Sequence, residues 1–274
     1  MPPASTPTTS ARTLWLARHG ESTWNTRGLT QGHNDQAELT ARGKRQAAEI
    51  AKRFAGLPVR AIYASDLRRA QQTAAPLAVA AGVPVVLDAR LRERCLGVLE
   101  GTPAAGNGPS VTGLDLEAGL LADPDTRPDG GESVRDLYRR AAAFCDFLFS
   151  LGGSDPPHTP PAHGGASRPP VPPAPGGQAP RTADGYTAGV RDLHPPAPGG
   201  QVPRTADGYT AGLPDPHTPA GEGDIVVVAH GGTLRVLRAY LSGVPVEEMD
   251  WPPLANATVL EFPEFGTLTR EGER

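Results

Sequence analysis

The sequence predicts an α/β domain of three layers, a mostly parallel sheet with helices on both faces, and three observations carry that prediction. Short apolar runs of strand length alternate with stretches whose apolar residues recur at helical spacing. Two of those runs end alike, LWLA in Arg18-His19-Gly20 and IVVVA in His230-Gly231-Gly232. Proline is uneven: 17 of the 31 prolines lie in the 70 residues from Leu151 to Ala220, leaving 14 for the other 204. The alternation gives the fold class, and the proline clustering separates a Pro/Gly-rich insert from an ordinary folded part.

Taken in order, residues 1–11 (MPPASTPTTSA) lack the basic and apolar regions of a secretory leader and are expected to form a disordered tail. Leu14 to Ala17 reads as a buried strand, followed by a polar loop from Gly20 to Glu38. Thr40 then caps a helix with Ala47, Ile50, Ala51 and Phe54 on one face. Ala61 to Ala64 is a second strand, and Ser65-Asp66 reads as an N-cap pair before a helix that Pro76 should kink or end. Pro84 to Leu87 is a third strand, while Arg90 to Gly101 has no clean period and reads as loop. Beyond an irregular stretch with one helical candidate, Leu114 to Leu121, Ser133 caps a helix whose core stripe is Val134, Leu137, Ala141, Phe144 and Leu148. Asp224 to Ala229 is the strongest strand in the chain, with a helix opening at Thr233 and a last strand from Ala257 to Phe262. The expected domain is therefore 12–150 joined to 221–274, large enough to bury a real core.

The insert, 151–220, carries a 23-residue duplication: PAPGGQAPRTADGYTAG at Pro173 recurs as PAPGGQVPRTADGYTAG at Pro196. Each unit has one Tyr and an aliphatic or two, too little apolar surface to offset the entropy of ordering, so a disordered segment is expected. Deleting Ser154 to Pro219 should accordingly leave stability nearly intact.

Composition narrows the function classes. A net charge of −4 gives no sign of a nucleic-acid or anionic-membrane binder, and no apolar run reaches membrane-spanning length. Two cysteines, Cys95 and Cys145, make neither a disulfide framework nor a metal motif, which suggests a reducing, cytoplasmic setting. No Asp/Glu cluster suggests a metal site, and no cofactor is expected. What the sequence does offer is Arg18-His19-Gly20 at a strand's carboxyl end, where ligands bind in α/β sheets. Arg supplies a planar fork of donors, Gly lets the main chain approach, and His can act as a nucleophile. A second imidazole, His230, would share that rim if the two strands are parallel neighbours.

Several motifs in order extend this. ARHGESTWN at Ala17, TQG at Thr30, LTARGKRQA at Leu39, YASDLRRAQQTA at Tyr63, LRERCLGVLEG at Leu91, PDGGES at Pro128 and VVVAHGGTLR at Val226 together resemble the histidine phosphatase superfamily, the phosphoglycerate mutase-like proteins. The resemblance covers residues 13 to 150 and 222 to 262 and implies the phosphoglycerate mutase-like fold. It implies that His19 is a nucleophile forming a phosphohistidine, with Arg18, Arg69 and His230 holding phosphoryl oxygens. Arg68 is then a solvated neighbour. Asn25 adds a neutral donor, and Thr30, Gln31, Gly32 and Gly231 complete the phosphate and substrate seat. Glu93 is implied to protonate the leaving alcohol and then activate water, a role worth ~10²–10⁴ in rate. The sequence departs from the family pattern at Leu29, Glu38, Cys95 and Leu99, none of them a catalytic position, all placed by the resemblance around the pocket mouth.

Family mutases carry a long segment between the acid and the GES helix start, whereas Glu93 and Gly131 are only 38 positions apart here. That favours the phosphatase branch: a metal-independent phosphomonoesterase acting on a small phosphorylated metabolite. The alternatives are a 2,3-bisphosphoglycerate-dependent mutase and a non-catalytic phosphate-binding scaffold. Nucleic acid and membrane are not expected partners; a homodimer is compatible with the resemblance.

Overall fold

The computed structural model describes residues 12–104, 123–152 and 223–265. In chain order the strands are β1 (Arg12–Arg18), β2 (Val59–Ala64), β3 (Val85–Leu87), β4 (Asp224–Ala229) and β5 (Val259–Phe265). The helices are α1 (Thr23–Thr26), α2 (Ala41–Phe54), α3 (Arg68–Ala81), α4 (Val134–Gly152) and α5 (Gly231–Leu241). The strands form one sheet in the order β3-β2-β4-β1-β5. Three of its four pairings are parallel, and β5 runs antiparallel to β1 at one edge. Pro263, which has no N–H for a ladder, sits in that edge strand, where the loss is tolerated.

Alternation along the strands divides the core in two. Leu14, Leu16, Ile225 and Val227 pack against the buried stripe of α4 (Leu137, Ala141, Phe144, Leu148) and against Leu234 and Leu237 of α5. Trp15, Ala17, Val226 and Val228 face the other way, onto Ile50 and Phe54 of α2 and Ala70, Ala74 and Leu77 of α3. Central β4 is thus buried on both faces, which is why it reads as a continuous apolar run. Each of its valines, fully buried, contributes roughly 1.5–3 kcal/mol. The predicted three-layer α/β fold is borne out.

Several local expectations are corrected. The loop after β1 contains the short helix α1, because Ser22 and Asn25 form a reciprocal capping box and Trp24 is buried beneath it. Ser65 and Asp66 do not cap α3: Leu67 occupies the N-cap position and offers no side-chain bond. Helix α3 runs through Pro76 to Ala81, with fully buried Ala74 and Leu77 on either side of the proline holding it in place. The stretch from Arg90 to Gly101, expected as loop, is entered by the 3-10 turn Ala89–Leu91 and contains a second, Gly97–Leu99. Helix α5 begins at Gly231, not Thr233, with His230 at the N-cap position. The last strand starts at Val259 because Ala257 has a left-handed backbone, φ 62°, and turns the chain. Helix α4 extends to Gly152, two residues into the expected insert; the rest of that insert, the 1–11 tail and the Leu114 to Leu121 candidate lie outside the described residues. Among the described residues no helix is long and apolar enough to cross a membrane.

Candidate active site

β1 and β4 are parallel neighbours, with Arg18 paired to Ala229, so the two His-Gly ends meet at one rim. The His19 backbone N–H donates to the Ala229 carbonyl at 3.0 Å, continuing the ladder one residue past the strand. The chain must then turn under α2. A Cβ on Gly20 would lie 2.5 Å from the Gly43 carbonyl oxygen, so only glycine permits that approach. The Gly20 N–H donates to Thr73 Oγ1 at 3.1 Å, which ties the turn to α3.

His19 is 2 % exposed, and its Nδ1 lies 2.7 Å from the Gly20 carbonyl oxygen. A carbonyl only accepts, so Nδ1 carries the proton and Nε2 keeps a free lone pair. Burial pushes the imidazole well below its ordinary pKa, and the positive charges of Arg69 and Arg18 push it further, so the ring is neutral. The ring of His230 stands against it, centroids 5.1 Å apart, and is also held well below the ordinary value by burial and by Arg69. His230 Nε2 meets the Ser65 hydroxyl at 2.9 Å, while its buried Nδ1 has no partner.

The cations are placed by the main chain. Arg69, fully buried on α3, donates to the carbonyls of Gly32 and Asn34 at 2.8 and 2.9 Å. Burial lowers its pKa to about 10, still well above neutrality, so it stays charged. Arg18 donates to the Leu254 carbonyl, and burial lowers it too, with Glu93 opposing that shift. Arg68, by contrast, is half exposed and pairs with Glu38, as a solvated neighbour should.

A cavity of about 240 Å³ opens over these groups, lined by Arg18, His19, Thr30, Gln31, Gly32, Arg69, Glu93, Arg94, Leu96, Ala104, Gly232, Arg235 and Trp251. Glu93 reaches it from the loop after β3, its two carboxylate oxygens accepting from the backbone N–H of Arg94 at 2.9 Å and of Gly232 at 3.0 Å. The N-terminus of α5 and the carboxylate thus fix each other. Gly32, at φ +50°, presents its carbonyl to Arg69, and a Cβ there would fall on the Glu100 carboxylate.

Among the described residues, the buried side-chain polar atoms without a partner are Arg18 Nε, Thr30 Oγ1, Arg69 Nε and His230 Nδ1. Native proteins rarely leave buried donors unmet. Three of these residues were expected to hold phosphoryl oxygens and the fourth, Thr30, to help seat the substrate; two are cations. An anion entering here would find donors whose desolvation is already complete.

Of the expected residues, Arg18, His19, Thr30, Gln31, Gly32, Arg69 and Glu93 line the cavity. His230 stands behind His19, and Gly231 lies where a side chain would crowd the guanidinium groups of Arg235 and Arg18. Asn25 is not among the lining residues; its side-chain oxygen, not the Nδ2 expected to donate to phosphate, accepts from Ser22 N–H at 3.0 Å and from Asn256 Nδ2 at 3.1 Å. Sequence reasoning missed Arg94, Leu96, Ala104, Gly232, Arg235 and Trp251 as lining residues, and Ser65 as the partner of His230. Arg94 and Gly232 were adjacent to named residues, but only the fold brings Trp251 to the rim.

Comparison with known proteins identifies the family. The sequence profile of the histidine phosphatase superfamily (branch 1) matches residues 14–168 and 186–266. A probable phosphoglycerate mutase GpmB of Enterobacter sp. is 41% identical over 149 residues, 52% of this chain and 66% of that protein. Its counterpart in Yersinia enterocolitica is 40% identical over 144 residues, with the same two shares. The chain therefore spans just under two thirds of the length of these curated relatives. Among solved structures, a mycobacterial glucosyl-3-phosphoglycerate phosphatase in complex with VO3 superposes with a TM-score of 0.59 at 26% identity, covering 92% of each chain. Profile match, fold and the two histidine turns agree: the chain belongs to the histidine phosphatase superfamily, branch 1.

Proposed function

We propose that this chain hydrolyses phosphomonoesters of small metabolites through a phosphohistidine on His19. The observation that carries the reading is the free Nε2 of a neutral, buried His19 beside unpartnered side-chain nitrogens of Arg18, Arg69 and His230. In the first step Nε2 attacks phosphorus and the ester oxygen departs, taking a proton from Glu93. In the second, Glu93 takes a proton from water as that water attacks the phosphohistidine, releasing inorganic phosphate and restoring the ring. Arg18 and Arg69 bear the charge on the equatorial oxygens in both steps, the part that metal ions take in many phosphoryl transfers.

A mutase is the second reading, favoured by the 41% identity to the probable phosphoglycerate mutase GpmB. Transfer back to product would replace the attack by water. The test is turnover of p-nitrophenyl phosphate and a panel of sugar and acid phosphates in EDTA, with and without 2,3-bisphosphoglycerate. Metal-independent hydrolysis is expected. Interconversion of 2- and 3-phosphoglycerate faster than hydrolysis would replace phosphatase by mutase, and inactivity on every substrate would leave only the phosphate-binding scaffold.

A further inference from the structure

From sequence, helix α4 shows only its cap and its core stripe, yet one of its arginines outside that stripe is fully engaged on the loop that carries Glu93. An arginine has five N–H donors. In Arg140, Nη1 donates to the carbonyls of Arg90 and Arg92 at 2.8 and 2.6 Å, and Nη2 to the carbonyl of Glu93 at 2.7 Å. The other two donors, on Nε and Nη2, grip the Glu132 carboxylate at 2.9 and 2.8 Å. Glu132 in turn accepts from the Cys95 N–H at 2.9 Å, so the fork is anchored on the far side of the same loop. Side-chain exposure is 18 % for Arg140 and 24 % for Glu132, low enough for these charge-assisted bonds to resist screening.

Other bonds hold this loop as well: Arg92 pairs with Asp66, Arg94 Nε donates to the Glu132 carbonyl at 2.6 Å, and the Glu132 N–H donates to the Cys95 carbonyl at 2.8 Å. Between the turn Ala89–Leu91 and the turn Gly97–Leu99 there is no regular element, yet this stretch delivers Glu93 to the cavity. The Glu93 carbonyl also receives His33 Nε2 at 2.8 Å, and Thr233 Oγ1 donates to the Arg92 carbonyl at 2.7 Å. Among the described residues, Arg140 alone engages the carbonyls of residues 90, 92 and 93 together.

We propose that Arg140, held by Glu132, is a positioning residue that sets where the Glu93 carboxyl stands against the leaving alcohol. The proposal rests on the reading of Glu93 as general acid and on the phosphohistidine pathway. Its consequence is selective: misplacing the acid should harm esters whose alcohol must be protonated and spare those with a stable leaving anion. The ratio kcat/KM includes steps only through alcohol release, so slow hydrolysis of the phosphohistidine does not obscure the effect.

The test compares the full chain with Arg140→Ala, Arg140→Lys, Glu132→Gln and Glu93→Gln, on p-nitrophenyl phosphate and on an alkyl phosphate that the wild type turns over. Arg140→Ala is expected to lower kcat/KM about 100-fold on the alkyl ester and less than about 5-fold on the nitrophenyl ester. Glu93→Gln should show the same split, and adding Arg140→Ala to it should cost less than about 2-fold more. Arg140→Lys, a point charge without the fork, should recover little of the alkyl activity. Should Arg140→Ala fail to fold, Glu132→Gln carries the same expected split. Equal losses on both esters, or independent effects of Arg140→Ala and Glu93→Gln, would overturn the proposal and reduce Arg140 to a structural residue. A wild type inactive on both esters would instead remove the catalytic reading itself, and this proposal with it.

Discussion

Acidification from pH 7.5 to 5.5 should destabilise this protein through two residues, His19 and His230. Both are buried and neutral, with pKa values held well below the ordinary 6.5 by burial and by Arg69. In the unfolded chain each titrates near 6.5 and binds a proton at pH 5.5, while the folded chain does not. The unfolded state therefore binds more protons in this window, and stability falls as the pH falls. For one such histidine the loss at pH 5.5 is at most RT ln(1 + 10), on the order of 1 kcal/mol, and for the pair about 3 kcal/mol at most. For a domain of this size that is a drop in Tm of roughly 6–11 °C. Carboxylates do not confuse the window. Asp66, drawn below its usual range chiefly by its hydrogen bond to Arg92, stays charged, and its contribution is lost only below about pH 4. Urea unfolding at fixed ionic strength measures the loss, and His230→Gln isolates one member of the pair. The variant should lose roughly half as much as the wild type between the two pH values. Equal losses in both, or a flat wild-type profile, would refute the assignment of buried neutral rings.

Two further substitutions probe how the site is braced. Ser65→Ala removes the hydroxyl that meets His230 Nε2 at 2.9 Å and leaves that nitrogen unmet in a fully buried place. We expect a loss of about 1–3 kcal/mol in thermal unfolding and roughly tenfold in kcat/KM, and unchanged kinetics would contradict the bracing role. Gly32→Ala forces a side chain onto the Glu100 carboxylate at a left-handed backbone position, displacing the oxygen that accepts from the His33 and Leu96 N–H groups. A destabilisation of about 2–3 kcal/mol by urea unfolding is expected, with weaker phosphate binding because the Gly32 carbonyl orients Arg69; a neutral outcome would count against that geometry.

Much of the fold and part of the site could be read directly. The runs before Arg18 and His230 are strands because apolar residues are continuous there, and glycine after each histidine marks where a strand ends. What escaped reading depends on partners far apart in the chain. Ser65-Asp66 before a helix looks like a cap, since capping is the commonest local use of such residues. Here the serine instead bonds a histidine 165 positions away, and Asp66 pairs with Arg92. Arg140 sits on a helix where an arginine is most often solvated, and nothing in the helical period shows that carbonyls from 90 to 93 await it. Asn25, whose motif position points to phosphate, lies outside the residues that line the cavity, and its side-chain oxygen takes the Ser22 N–H in the cap of α1. Trp251 reaches the cavity from a loop between α5 and β5 that carries no periodic signal at all.

The central claim is that His19 Nε2 carries the phosphoryl group. A single-turnover incubation with a radiolabelled phosphomonoester, quenched in alkali and digested, tests it most directly. The expected result is a label that survives alkali, is released by acid, and maps to the peptide containing His19, with no label and no turnover in His19→Asn. Label on another residue, or wild-type turnover by His19→Asn, would contradict it.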